Sequence, residues 1–86
     1  MKKPLSIEID LQHRLGYVYY AQLEGHCAGT LDVWADGLVA ADLDDDGNVL
    51  GIEVLGLDDE TLQHAHDFAA AHDLEFPAHL SELVSA

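Results

Sequence analysis

The middle of the chain carries the residue types and the spacing of a calcium-binding loop. Asp42, Asp44 and Asp46 alternate along it, Gly47 follows, and Glu53 stands at the twelfth position, which matches the pattern D-x-[DN]-x-[DN]-G-x5-E. Such a loop binds Ca²⁺ when two flanking helices aim its carboxylates at one point. Here the segment before the loop is too short for a helix, and the segment after it reads as a strand. We therefore predict a solvated acidic hairpin tip that could bind a cation only weakly.

Histidine and cysteine are the other residue types that bind metals. Six histidines occur, but His64, His66, His72 and His79, all in the helical region, include no pair at the i,i+4 spacing that a zinc site on one helix prefers. A site shared by two copies of the chain would escape this argument. Cys27 is the single cysteine, which excludes an internal disulfide and is interpreted as a small buried residue. No metal site is predicted from these residues.

No constellation of catalytic residues is visible in the sequence. The chain has no glycine-rich phosphate loop, no nucleophile elbow and no serine in a triad context. Carboxylates are abundant, but a small domain made of a sheet and a helix offers little concave volume for a substrate. We predict that the protein is not an enzyme and that it uses no cofactor.

The composition is strongly acidic, which restricts the classes of partner. Three Lys or Arg residues stand against 17 Asp or Glu residues, so the formal net charge is −14. Nucleic acids and anionic membranes are bound through Lys and Arg, and only Lys2, Lys3 and Arg14 are present. We therefore predict no direct binding to nucleic acid and no membrane binding. No apolar run approaches the ~20 residues of a membrane span and no secretion signal is apparent, so a cytoplasmic protein is expected.

Residue periodicity predicts one domain over residues 1–86, made of five strands and a helix. The 86 residues suffice for a single core, and 49% of them are apolar, which argues against disorder. Alternation of apolar and polar residues, bounded by turn residues, marks the strands. They are predicted at about residues 5–11, 17–23, 30–34, 38–44 and 49–55.

The end of the chain has the period of a helix. Asp58 is a suitable N-cap, and the apolar residues after it recur at helical spacing, so a helix is predicted at about residues 58–73. Pro77 can open a short second helix at about residues 77–84. The predicted fold class is α+β, a small antiparallel β-meander sheet with the C-terminal helix packed on one face.

Two Asp-Gly dipeptides set the expected registers of the meander. If Asp46-Gly47 is a two-residue turn, one face of that hairpin is apolar throughout. Its predicted pairs are Leu43 with Leu50, Ala41 with Ile52 and Val39 with Val54. The preceding hairpin is predicted to turn through residues 35–37, with Gly37 in the left-handed conformation of a bulged turn. That register pairs Val33 with Val39 and Leu31 with Ala41.

The opposite face of this meander is expected to be of mixed character. Its predicted members are Thr30, Asp32, Trp34, Leu38, Ala40, Asp42 and Glu53. Trp34 beside Leu38, bordered by carboxylates, is typical of patches at protein interfaces, so these two residues are the interface candidates. Cover by the N-terminal strands or the C-terminal tail of the same molecule is the alternative, and the sequence leaves both open.

Residues 38–55, LVAADLDDDGNVLGIEVL, preceded by the strand Thr30-Leu31-Asp32-Val33, resemble the signature of the YuzE-like family of small bacterial proteins. The resemblance covers about a third of the chain. It implies a small α+β fold built on an antiparallel meander. The family is uncharacterised, so the resemblance implies no function and assigns no catalytic or ligand residue.

These observations favour a small acidic, non-catalytic protein-interaction module that associates as a homodimer. The contacts would be made by the sheet face around Trp34 and Leu38 or by an exposed strand edge. The alternative is an acidic inhibitor or regulator that binds a basic, nucleic-acid-binding protein as a charge mimic. Binding of calcium or another metal through Asp42, Asp44, Asp46 and Glu53 is the third hypothesis.

Overall fold

The computed structural model describes residues 1–21 and 28–77. In these ranges the elements are β1 Ser6–Asp10, β2 Leu15–Tyr19, β3 Gly29–Trp34, β4 Val39–Leu43, β5 Val49–Val54 and the helix α1 Asp59–Ala71. The strands form one antiparallel sheet in the order β1-β2-β5-β4-β3, and α1 packs over β3, β4 and β5. The predicted α+β class is confirmed. Three predictions concern residues outside these ranges. They are the end of the second predicted strand, the interpretation of Cys27, and the predicted helix at 77–84 apart from its first residue.

The sheet face under α1, which we call the covered face, holds the hydrophobic core. One row of directly paired residues crosses all five strands in the order Ile7, Val18, Ile52, Ala41 and Leu31. Val18, Ile52 and Ala41 are buried in the middle of this row, whereas Ile7 and Leu31 at its ends are 41% and 44% exposed. Burial of apolar surface stabilises the fold in proportion to the area removed from water, so the centre of the row contributes most.

Helix α1 begins at the predicted N-cap and buries apolar residues that recur at helical spacing. The Asp58 carboxylate accepts hydrogen bonds from the Thr61 backbone N–H at 3.2 Å and from the Thr61 hydroxyl at 2.7 Å. These hydrogen bonds hold the pKa of Asp58 below its usual range, and the bond from the hydroxyl has the largest effect. Leu62, Ala65 and Ala69 are buried in the core.

The tip of the β4–β5 hairpin is a wider turn than the predicted two-residue one. The Gly47 N–H donates to the Asp44 carbonyl at 3.1 Å, and the Asp44 N–H donates to the Asn48 carbonyl at 3.0 Å. Asp44 Oδ1 also accepts the backbone N–H groups of Asp46 and Asn48. Gly47 has a φ of +82°, which glycine adopts without steric cost. The loop therefore consists of residues 45–47, closed by the Asp44 side chain.

The wider turn changes the register at one end of the hairpin. The predicted pairs of Val39 with Val54 and of Ala41 with Ile52 are confirmed. The pair of Leu43 with Leu50 is wrong, because a bulge after Asp42 sets Leu43 opposite Val49 instead.

A second bulge moves Trp34 to the other face of the sheet. Leu31 pairs with Ala41 as predicted, but Trp34, and not Val33, pairs with Val39. The irregularity lies between Asp32 and Trp34, and one extra residue in a strand reverses the face of the side chains beyond it. The prediction that Trp34 lies on the face opposite the core is therefore wrong.

Candidate functional site

The structure does not gather the residues of the calcium pattern around one point. Asp42 lies within β4, where its carboxylate accepts hydrogen bonds from the Tyr17 hydroxyl and, at 2.8 Å, from Thr30 Oγ1. The Asp44 carboxylate closes the hairpin turn, and the hydrogen bond from the Asn48 N–H leads the causes that lower its pKa. Glu53 pairs with Ala40, whereas Asp42 pairs with Gly51, so Glu53 and Asp42 are not opposite each other. Across the described ranges, no group of three or more His, Cys, Asp or Glu side chains could hold a metal ion.

The sheet face opposite α1, which we call the open face, carries two rows of polar and aromatic residues. The first row is Glu8, Tyr17, Glu53, Ala40 and Asp32. The second row is Ser6, Tyr19, Gly51, Asp42 and Thr30. Because alternate residues of a strand share a face, strand pairing brings these side chains from all five strands onto one surface.

Two tyrosines of β2 form the centre of the open face. The rings of Tyr17 and Tyr19 are in contact, with their centroids 4.2 Å apart and their planes inclined at 45°. Each hydroxyl is held by a carboxylate of another strand, that of Tyr17 by Asp42 of β4 and that of Tyr19 by Glu8 of β1 at 2.9 Å. Both rings are half-buried, so they combine a fixed position with an accessible surface.

Gly51 explains how Tyr17 lies so close to the sheet. A Cβ atom at position 51 would clash with the Tyr17 ring. Glycine in the middle of a strand often marks such a close approach. The ring therefore rests on the β5 backbone, and its hydroxyl reaches Asp42 on the next strand.

The charges on the open face are all negative. The pKa of Tyr19 is raised, first by its hydrogen bond to Glu8, then by partial burial and by the charges of Glu8, Asp42 and Glu53. The three basic residues of the chain, Lys2, Lys3 and Arg14, all lie in the described ranges, and none occupies a position in either row. The two rows therefore present carboxylates and no basic side chain to a partner.

The two predicted interface candidates have different surroundings in the structure. Trp34 stacks on His64 of α1, with ring centroids 4.1 Å apart and planes at 14°, and packs against the core. Leu38 is 37% exposed, and its carbonyl accepts the N–H of Leu55, which is 45% exposed. Leu38 and Leu55 are thus both exposed and joined through the backbone, whereas Trp34 packs against the core.

A shallow cavity of about 440 Å³ lies between the hairpin tip and the end of α1. Its polar lining includes Lys2, Asp44 and His72. The Asp44 carboxylate is committed to the turn, and the Nδ1 atom of His72 is 3.0 Å from the Phe68 carbonyl oxygen. Both side chains therefore contact the local backbone. We take the open face, rather than this cavity, as the candidate functional site.

The tyrosines and Gly51 were not among the residues that the sequence singled out. A signal was present, because Tyr17 and Tyr19 stand two residues apart in a predicted strand and must share a face. What the sequence did not show is that β2 pairs with β5, which sets Tyr17 beside Glu53.

Comparison of the chain with family models, with curated proteins and with solved structures finds no match. Membership of the YuzE-like family therefore stays a prediction. Within residues 1–21 and 28–77, no helix has both the length and the apolar composition needed to cross a bilayer.

Proposed function

We propose that the protein is a non-catalytic interaction module that binds a basic protein partner on its open face. The observation that carries this proposal is the pair of anchored tyrosines surrounded by Glu8, Asp42, Glu53 and, further along the row, Asp32. Tyrosines are enriched in protein interfaces because they offer a large contact area and a polar group together. The carboxylates supply charge complementarity to Lys and Arg side chains.

The charge of the whole chain acts in the same direction. A formal net charge of −14 on 86 residues, with a radius of gyration of 12.0 Å, attracts a basic surface over a Debye length of about 8 Å at physiological salt. The same charge opposes the approach of a second copy to the open face. Charge therefore favours the hypothesis of an acidic regulator of a basic protein over a dimer built on this face.

The test is binding of a labelled peptide of alternating lysine, serine and arginine, followed by fluorescence anisotropy. The double variant Asp32→Asn/Glu53→Gln removes two charges from the open face. The control Glu60→Gln/Asp67→Asn removes two charges from exposed positions of α1, on the other side of the sheet. We expect the open-face variant to bind about tenfold more weakly and the control about twofold more weakly.

Two results would contradict the proposal. Equal weakening in both variants would mean that the peptide senses net charge rather than the open face. Absence of binding at low salt would remove the proposed function altogether.

Self-association is the second candidate, and the exposed neighbours Leu38 and Leu55 favour it. Leu38 directly precedes β4 and Leu55 directly follows β5, so the two lie at the same end of this strand pair. Light scattering on the wild type and on Leu38→Asp tests this candidate. A dimer that becomes a monomer in the variant supports it, and a wild-type monomer rules it out.

A further inference from the structure

We infer that the tyrosine pair of the open face selects arginine over lysine in the bound partner. The inference rests on the proposed function and adds the chemical class of the group that is recognised. It follows from the way in which Tyr17 and Tyr19 are held and from the carboxylates that surround them.

The two rings are fixed before any partner arrives. Tyr17 rests on Gly51 and donates its hydroxyl to Asp42, whose other oxygen accepts Thr30 Oγ1. Tyr19 contacts the Tyr17 ring and donates to Glu8. A pre-ordered aromatic surface loses little conformational freedom when a ligand stacks on it.

The remaining carboxylate beside the rings is suited to a guanidinium. Glu53 is the direct partner of Tyr17 on β5 and is half-buried. Within the described part of the chain, its carboxylate accepts no hydrogen bond from a side chain, whereas those of Glu8 and Asp42 hold the tyrosine hydroxyls. A cation above Tyr17 would therefore find Glu53 ready to accept hydrogen bonds.

Arginine meets both requirements at once. Its planar guanidinium stacks on an aromatic ring while its edge donates two parallel hydrogen bonds to a carboxylate. The ammonium of lysine is a strongly hydrated point charge that cannot stack and bond in this way. Neighbouring tyrosine and glutamate side chains on adjacent strands thus discriminate between two groups of equal charge.

The experiment compares two peptides of equal length, alternating arginine with serine and lysine with serine, by anisotropy at physiological salt. We expect the wild type to bind the arginine peptide about tenfold more tightly. In Tyr17→Leu the preference should fall to about twofold, because the arginine peptide loses its stacking surface and weakens more than the lysine peptide does. Tyr17→Phe is the matched control, because it keeps the ring, and its preference should persist.

The outcomes separate this inference from the proposed function. Equal affinity of the wild type for the two peptides overturns the arginine selectivity and leaves the basic partner standing. If the wild type binds none of the three peptides, the arginine peptide, the lysine peptide and the mixed one, both the inference and the proposed function are overturned. A preference that survives in Tyr17→Leu, with the variant folded by circular dichroism, also overturns the inference, since the ring would then not be its source.

Discussion

The two faces of the sheet share the same five strands but have opposite chemistry. On the covered face, Val18 and Ile52 are neighbours in a row of buried apolar residues under α1. On the open face, Tyr17 and Glu53 are the corresponding neighbours, one residue away along the same strands. The covered face excludes water and stabilises the fold, whereas the open face arranges aromatic rings and charges in solvent. A single alternating sequence thus places the apolar core on one face and the tyrosines and carboxylates on the other.

The tyrosines of β2 and the residue that follows it show the same division. Tyr20 belongs to the core, and its hydroxyl donates to the Glu75 carbonyl at 2.9 Å. Burial, with the charge of Glu75 as a smaller cause, raises the pKa of Tyr20 to about 12. Tyr19 remains half-exposed, and its pKa is raised first by its bond to Glu8. Identical side chains take different roles because they point to different faces.

The largest expected effect comes from consecutive residues of β5 that lie on opposite faces. Ile52 is 0% exposed, and Ile52→Ala should lower the free energy of unfolding by about 2 to 5 kcal/mol, because it leaves a cavity in the core. Glu53→Gln, its matched control, should change it by less than about 0.5 kcal/mol. Urea unfolding followed by circular dichroism measures both. Equal losses would show that the open face contributes to stability as much as the core.

Gly51 sharpens the comparison, because it lies on the open face but serves packing. Gly51→Ala should cost about 1 to 3 kcal/mol, since the new methyl group must displace the Tyr17 ring. In a Tyr17→Ala background the same change should cost much less, because the ring is absent. The double-mutant cycle in urea measures this coupling. Strictly additive losses would be inconsistent with the close approach of ring and backbone.

The smallest of the three effects concerns Asp58, which caps the helix of the covered face. Its pKa is lowered in the folded state, so its contribution to stability is present above the usual aspartate pKa of about 4. The contribution disappears as the pH falls through the lowered pKa. Asp58→Ala should melt a few degrees below the wild type at neutral pH, and this difference should vanish in acid. Melting curves across the pH range test the expectation, and a constant difference would contradict it.

Features that depend on residues close in sequence were predictable. The cap at Asp58, the left-handed Gly37 with its φ of +96° and the pairing of Ala41 with Ile52 all follow from local spacing and are present. Hairpin registers away from the turns were right because one face of each strand must be apolar. The bulges were not predictable, since the pattern allows the extra residue at more than one position.

The candidate site was less accessible to prediction than the fold. The acidic pattern around Asp46 drew attention to the hairpin tip, but the Asp42 carboxylate bonds within the sheet and the Asp44 carboxylate closes the turn. Trp34 was predicted to be an interface candidate on the face opposite the core, but the bulge places it against His64. That the two tyrosines of β2 share a face could be predicted from their spacing. Their carboxylate neighbours could not, because these come from β1, β4 and β5.

By itself the sequence determined the net charge of −14, the alternation of each strand and the positions of turns and helix start. These depend on composition or on contacts between near neighbours in the chain. Only the tertiary structure decided that β2 inserts beside β5, so that Tyr17 meets Glu53 and rests on Gly51. The physical reason is that alternation states which face a side chain takes but not which strand lies next to it. That choice is made by burying the apolar face of the whole sheet at once.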